Sequence, residues 1–166
     1  MITLSGFADE IAEDPIVQFD FLAGKGLSHV DLRSAWGKNA LDLDAEEIDR
    51  IRNALDERGM SVSSVGSPIG KVDIAEPFER HLERFRRAVE VAEYLSAPYI
   101  RIFSFYPSEG NAIEVYRDTV IERMRTLATI ASDRGVVLVM ENEHGLYGDT
   151  PERCLAVLRS VDSSAL

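Results

Sequence analysis

Four times in this chain an amphipathic segment ends in a short stop and gives way at once to an apolar run. Lys25-Gly26 precedes His29-Val30-Asp31-Leu32-Arg33, and Arg58-Gly59 precedes Ser61-Val62-Ser63-Ser64-Val65. Ala97-Pro98 precedes Tyr99-Ile100-Arg101-Ile102-Phe103, and Arg134-Gly135 precedes Val136 to Glu141. Glycine just past a last turn, beside a basic residue, is a helix C-cap signature, and short runs rich in Val, Ile and aromatics read as strands. The helix starts carry matching signals. Asp14-Pro15 and Thr150-Pro151 each put a capping side chain before a proline at the first helical position. Asp44 with Glu47 reads as a capping box, with Leu43 placed to staple onto Ile48. Apolar residues then recur at helical spacing: Ile48, Ile51 and Leu55; Phe78, Leu82, Phe85, Val89 and Ala92; Val120, Met124, Leu127 and Ala131 in a helix from about Asn111 to Arg134. With a strand at the N-terminus the pattern is five strand–helix units without a linker, a single domain over residues 1–166.

Strands joined by helices must run parallel, so the fold class is α/β, either an open doubly wound sheet or a (β/α) barrel of the TIM type. At roughly 33 residues per unit, eight units would need about 270 residues, close to the usual ~250 of such a barrel. The 166 residues here hold either a complete five-stranded open sheet or about five of eight barrel units. Side-chain alternation separates the two. Val30 and Leu32 share one face of their strand while Asp31 and Arg33 share the other; Ile100 and Ile102 oppose Arg101 and Phe103; Glu141 lies on the face of Val137 and Val139. A sheet covered by helices on both sides wants apolar residues on both faces. Charged residues on one face suit a barrel lumen, and the partial barrel is the expected architecture.

Eighteen basic against 29 acidic residues give a net charge of -11, which repels phosphate backbones and argues against a nucleic-acid partner. The densest basic cluster, Arg80, His81, Arg84, Arg86 and Arg87, alternates with Glu79, Glu83 and Glu90 and reads as a solvated helix face laced with i,i+4 pairs. No apolar run reaches the ~20 residues of a membrane span, and the first residues lack a signal-peptide pattern. The single cysteine, Cys154, cannot form an internal disulfide, so a cytoplasmic location is expected.

The segment Met140-Glu141-Asn142-Glu143-His144-Gly145 puts two carboxylates and an imidazole directly after an apolar strand, where (β/α) barrels build their active sites. Glu141 offers hard oxygen to Mg²⁺ or Mn²⁺ and is acceptable to Zn²⁺; alternatively it pairs with Arg101 or Arg33. His144 is a candidate for substrate binding or proton transfer, or a plain loop histidine. Trp36, between Arg33 and Lys38, is either a wall for an anionic or polyhydroxylated ligand or a cap on the barrel rim. Gly66-Ser67-Pro68-Ile69-Gly70-Lys71 is glycine-rich but lacks the spacing of a nucleotide-binding P-loop. No dinucleotide fingerprint or nucleophile elbow is present. Arg33 and Lys71 suit a phosphate or carboxylate.

The stretches 29–39, 66–72 and 99–106, and above all Glu141-Asn142-Glu143-His144 continuing into Gly148-Asp149-Thr150-Pro151-Glu152-Arg153-Cys154, resemble the N-terminal part of the sugar phosphate isomerase/epimerase family, the xylose isomerase-like barrels. The resemblance implies one divalent cation held by a Glu ending the fifth strand and by an Asp, a His and a Glu from later strands. Glu141 matches the first of these. It also implies a catalytic role for Glu141 in proton transfer at a carbon next to a carbonyl, with an enediolate stabilised by the metal. Arg33, Trp36, Lys71, Arg101 and His144 are then the expected binders of a sugar or sugar phosphate. The other three ligands have no counterpart in these 166 residues. The expectation is therefore an N-terminal fragment, inactive alone, of an isomerase or epimerase, or of a dehydratase of the same family. A non-catalytic partial barrel that pairs with other copies through its open sheet edges is the alternative. The related endonuclease branch needs several histidines at strand ends, and only His144 lies at one.

Overall fold

Asp14 accepts the Ile16 N–H at 2.9 Å and Pro15 fills the first helical position, so α1 (Pro15–Gly24) starts where the Asp-Pro pair puts it. It is followed by β1 (His29–Leu32), a small hairpin of β2 (Ser34–Ala35) and β3 (Lys38–Asn39), α2 (Ala45–Asp56), β4 (Ser61–Gly66), α3 (Phe78–Tyr94), β5 (Tyr99–Ile102), α4 (Arg117–Asp133), β6 (Val137–Met140) and α5 (Pro151–Val161). The computed structural model describes residues 2–108 and 110–166. The Asp44–Glu47 capping box opens α2, and Thr150 caps α5 through the Arg153 N–H at 3.3 Å. A 3₁₀ turn at Ile113–Tyr116 precedes α4, so the regular helix begins later than its apolar spacing alone indicates.

The main sheet has the order β1-β4-β5-β6, with all neighbours parallel. Helices cover one face only. Val30, Leu32, Ile100, Ile102 and Leu138 on that face are fully buried, together with Phe85, Ala88 and Val89 of α3 and Met124 and Leu127 of α4. The opposite face carries Asp31, Arg101 and Glu141, with Tyr99 and Val139 exposed beside them. The polar face that alternation assigned to a lumen is therefore distinct from the apolar face that packs the helices.

Register between β1 and β4 slips by one residue at Ser63, where Val30 pairs with Val62 but Asp31 with Ser64. The extra residue is tied down: Ser63 Oγ lies 3.0 Å from the Val30 carbonyl and 2.6 Å from Asp31 Oδ1. The N-terminal segment corrects the expectation of a fifth strand. Residues 2–7 lie beside β1 without a ladder; the Gly6 carbonyl accepts the Asp31 N–H at 3.0 Å, and Ser5 Oγ meets Ser63 Oγ at 2.5 Å. Ile2 and Leu4 are 90% and 68% exposed, so no apolar burial holds the segment in register. On the other flank, the Leu138 N–H donates to the Ala165 carbonyl at 2.8 Å. Among the described residues no helix is long and apolar enough to cross a membrane.

The basic cluster on α3 also departs from expectation. Its ion pairs are Arg84–Asp42 at 2.6 Å and Arg87–Glu90 at 3.5 Å, not an i,i+4 ladder. His81 is not on the solvated face: it is 7% exposed.

Candidate active site

The functional side chains gather where the strands end in the C-terminal direction. Arg101 alternates inward from β5, and Glu141 follows β6 directly. Arg101 Nη1 donates to Glu141 Oε2 at 3.1 Å and Nη2 to the Ser67 carbonyl at 3.2 Å. Of the two readings open for Glu141, metal ligand or ion-pair partner, this geometry displays the pair. The pair is not sealed: the Glu141 side chain is 43% exposed against 14% for Arg101, so the carboxylate stays reachable from solvent.

Two phenylalanines organise the cations. The Arg101 guanidinium lies 5.3 Å from the Phe7 ring centre and 4.6 Å from that of Phe103. Arg33 takes Phe7 at 4.9 Å, and Lys71 Nζ takes Phe103 at 4.3 Å. The row Arg33, Phe7, Arg101, Phe103, Lys71 thus alternates cation and ring, each contact of a kind worth about 0.5–2 kcal/mol. Gly66 leaves room for it: a Cβ there would come within 2.8 Å of Phe7 and 2.9 Å of Arg33.

Each cation also has a carboxylate. Asp9 grips Arg33 with two oxygens, at 2.7 and 2.9 Å, and Glu10 adds a third contact at 3.1 Å. Burial pushes the Asp9 carboxyl up, but hydrogen bonds from Arg33 and Ser34, helped by the Arg33 charge, outweigh it and leave the group below its ordinary value. Glu143 pairs with Lys71 at 2.7 Å.

The structure therefore brings Arg33, Lys71, Arg101 and Glu141 together and leaves two expected residues apart. Trp36 sits at φ 52, its N–H on the Glu13 carbonyl at 2.6 Å, and its ring stacks on Arg50 of α2 at 4.5 Å. That position fits a rim cap. His144 is exposed, with no hydrogen bond to a described residue. Sequence reasoning missed Phe7 and Asp9, which lie in no strand or motif, and left Glu143 without a partner. Phe103 was legible, since it alternates with Arg101 on the same face.

Among the described residues no three His, Cys, Asp or Glu side chains converge on a point where a metal ion would sit. Glu141 is a single carboxylate with one oxygen on a guanidinium. The donors of the described residues alone do not fit a Mg²⁺, Mn²⁺ or Zn²⁺ site, which needs several protein ligands or ordered waters.

Beneath the Lys71 loop lies His81. A backbone N–H can only donate, so the 3.1 Å bond from Gly70 N to His81 Nε2 fixes a neutral ring with its proton on Nδ1. The ring packs on Phe78 and Phe105 at 6.3 and 5.3 Å. His81 also lines a cleft of about 500 Å³, together with Glu76, Arg80, Glu83 and Arg84. Burial, and secondarily the charge of Arg123, lowers the His81 pKa from 6.5 to about 4. Between those values the unfolded chain binds a proton that the folded chain refuses. Stability is unaffected by this group above pH 6.5, falls as pH drops towards about 4, and levels off below that. The full loss is on the order of 3 kcal/mol. Urea midpoints at pH 7 and pH 4.5 should accordingly differ less in His81→Leu than in the parent; equal differences would mean that His81 titrates normally.

A family model described as the xylose isomerase-like TIM barrel matches residues 19–166. The chain belongs to this family. No curated protein matches it in sequence. A xylose isomerase-like TIM barrel protein from Mycobacterium smegmatis, solved in complex with magnesium, is 20% identical with a TM-score of 0.75, over 98% of this chain and 62% of that one. The probable 3-DHS dehydratase AsbF of Bacillus anthracis is 17% identical at a TM-score of 0.80, over 99% and 61%. The 3-keto-D-glucoside 4-epimerase YcjR of E. coli is 16% identical at 0.73, over 99% and 66%. At such identities the likeness is one of fold. The chain spans somewhat under two thirds of the length of the first two, and its four-stranded parallel sheet with alternating helices is the xylose isomerase-like arrangement as a partial barrel.

Proposed function

We propose that this chain supplies the N-terminal part of the active site of a divalent-metal-dependent sugar isomerase or epimerase, working by proton transfer at a carbon next to a carbonyl. One observation carries the reading: Glu141 stands at the end of β6, held by Arg101 yet open to solvent, at the end of the sheet where barrels of this kind place their chemistry. On this reading Glu141 Oε1 moves the proton while Arg101 fixes the other oxygen. The described residues hold no complete site for a divalent cation, and the part this chain supplies is the group of Glu141, Arg101, Arg33 and Lys71 at the strand ends. Arg33, Lys71 and Arg101 would orient hydroxyl groups. Because each already has a carboxylate partner, a neutral polyhydroxylated substrate fits better than a phosphorylated one.

The test uses the protein from its complete reading frame, with Mn²⁺ or Mg²⁺, in D₂O. Deuterium appearing at the carbon next to the carbonyl of a ketose or aldose, with a new stereoisomer or carbonyl position, supports the reading. Exchange accompanied by loss of water would make the protein a dehydratase. No exchange across a panel of neutral and phosphorylated sugars would sink both.

A further inference from the structure

Much of the loop between β4 and α3 is tied down by hydrogen bonds of its backbone. Ile69 N donates to Ser67 Oγ at 3.3 Å and Lys71 N to the Pro68 carbonyl at 3.0 Å. The carbonyls of Ile69, Gly70 and Val72 accept from the N–H groups of Phe103, Phe105 and Tyr106 at 2.7, 2.9 and 2.9 Å. Gly70, at φ +88, lies so close that a Cβ would overlap the Phe103 carbonyl. Its own N–H is turned away from these partners, toward the helix layer, where His81 of α3 accepts it. That bond is the one side-chain hydrogen bond that α3 gives to the loop among the described residues. The next residue is Lys71, whose Nζ meets both Glu143 and the Phe103 ring.

We propose that His81 is a positioning residue for Lys71: a neutral imidazole in the helix layer holds the Gly70 amide and thereby sets the lysine against Glu143 and Phe103. The proposal rests on the reading of Lys71 as a substrate-orienting group, and deepens it by naming what orients the lysine. The alternative role for a buried ring is to fill space between Phe78 and Phe105. The two differ in one respect. Space filling needs bulk, whereas positioning needs an acceptor atom at the place of Nε2. Leucine supplies the bulk without the acceptor; glutamine supplies an acceptor.

The experiment compares His81→Leu and His81→Gln in the protein from its complete reading frame. The first readout is hydrogen exchange of the peptide over residues 69–72, the second acylation of Lys71 by a limiting amount of an amine-reactive active ester, and the third the split between KM and kcat on whichever sugar is turned over. In His81→Leu, exchange at 69–72 should rise tenfold or more while residues 99–102 and 137–140 keep their protection. Lys71 acylation should rise several-fold and KM should rise with kcat little changed. His81→Gln should restore all three towards the parent. Leucine and glutamine variants that behave alike, or loop exchange that rises only together with the sheet, would overturn the proposal. Raised exchange and acylation at unchanged KM would support His81 as the residue that positions Lys71 and would instead remove Lys71 from substrate binding. Exchange and acylation need no substrate, so the proposal stands or falls separately from the proposed activity.

Discussion

With Glu141 as the proton carrier proposed above, Glu141→Gln is expected to lower the rate of carbon-bound hydrogen exchange by about 10²–10⁴-fold, the usual contribution of a positioned acid or base. The substitution is chosen because it changes little else. Glutamine has the same shape, and its amide oxygen still accepts from Arg101 Nη1, which lies 3.1 Å from Glu141 Oε2. What the amide cannot do is take up a proton. Stability separates this outcome from a structural role. With the Glu141 side chain 43% exposed, its ion pair is worth only about 0–1 kcal/mol, so the urea midpoint should stay almost unchanged while turnover collapses. Turnover within threefold of the parent would reduce Glu141 to an ion-pair partner of Arg101.

Gly70→Ala costs about 2–5 kcal/mol of stability, read as a lower urea midpoint. Two costs add. A left-handed backbone angle of +88° charges a residue with a Cβ about 1–2 kcal/mol, and forcing an atom into filled space adds about 1–3 kcal/mol. The obstruction is the backbone carbonyl of Phe103, and it cannot step aside, because the N–H groups of Phe103 and Phe105 are bonded to Ile69 and Gly70. Gly26→Ala is the matched control: its φ is +77 and nothing lies within 4 Å of the added Cβ, so only the first cost applies. Equal losses in the two variants would show that the loop moves aside.

Much of this architecture was written in short-range signals. The Asp14-Pro15, Asp44–Glu47 and Thr150-Pro151 devices act within one turn, and each opens a helix where it stands. Alternation along β1 and β5 placed Arg33 and Arg101 on the polar face for the same reason: side-chain direction in a strand depends only on neighbours. What depends on distant chain was not legible. Glu141 could be read as a ligand or as an ion-pair partner because strand spacing does not reveal how near Arg101 comes. Lys71 and Glu143 meet across loops that share no local pattern. The N-terminal strand failed because its apolar residues, Ile2 and Leu4, have nothing to bury against. His81 is the instructive error. Its charged neighbours suggested solvent, yet it follows Phe78 by three positions and precedes Phe85 by four, inside the apolar stripe of α3. Periodicity was the stronger signal there, and composition masked it.

The sheet order β1-β4-β5-β6 has a consequence for how the protein is made. Each long strand pairs with the one synthesised before it, and none is inserted between two strands already joined. As the chain leaves the ribosome at about 5–20 residues per second, every new strand finds its template finished and has seconds in which to dock, against the microseconds that a helix needs to form. Growth proceeds from a single advancing margin, so the order of translation and the order of assembly coincide.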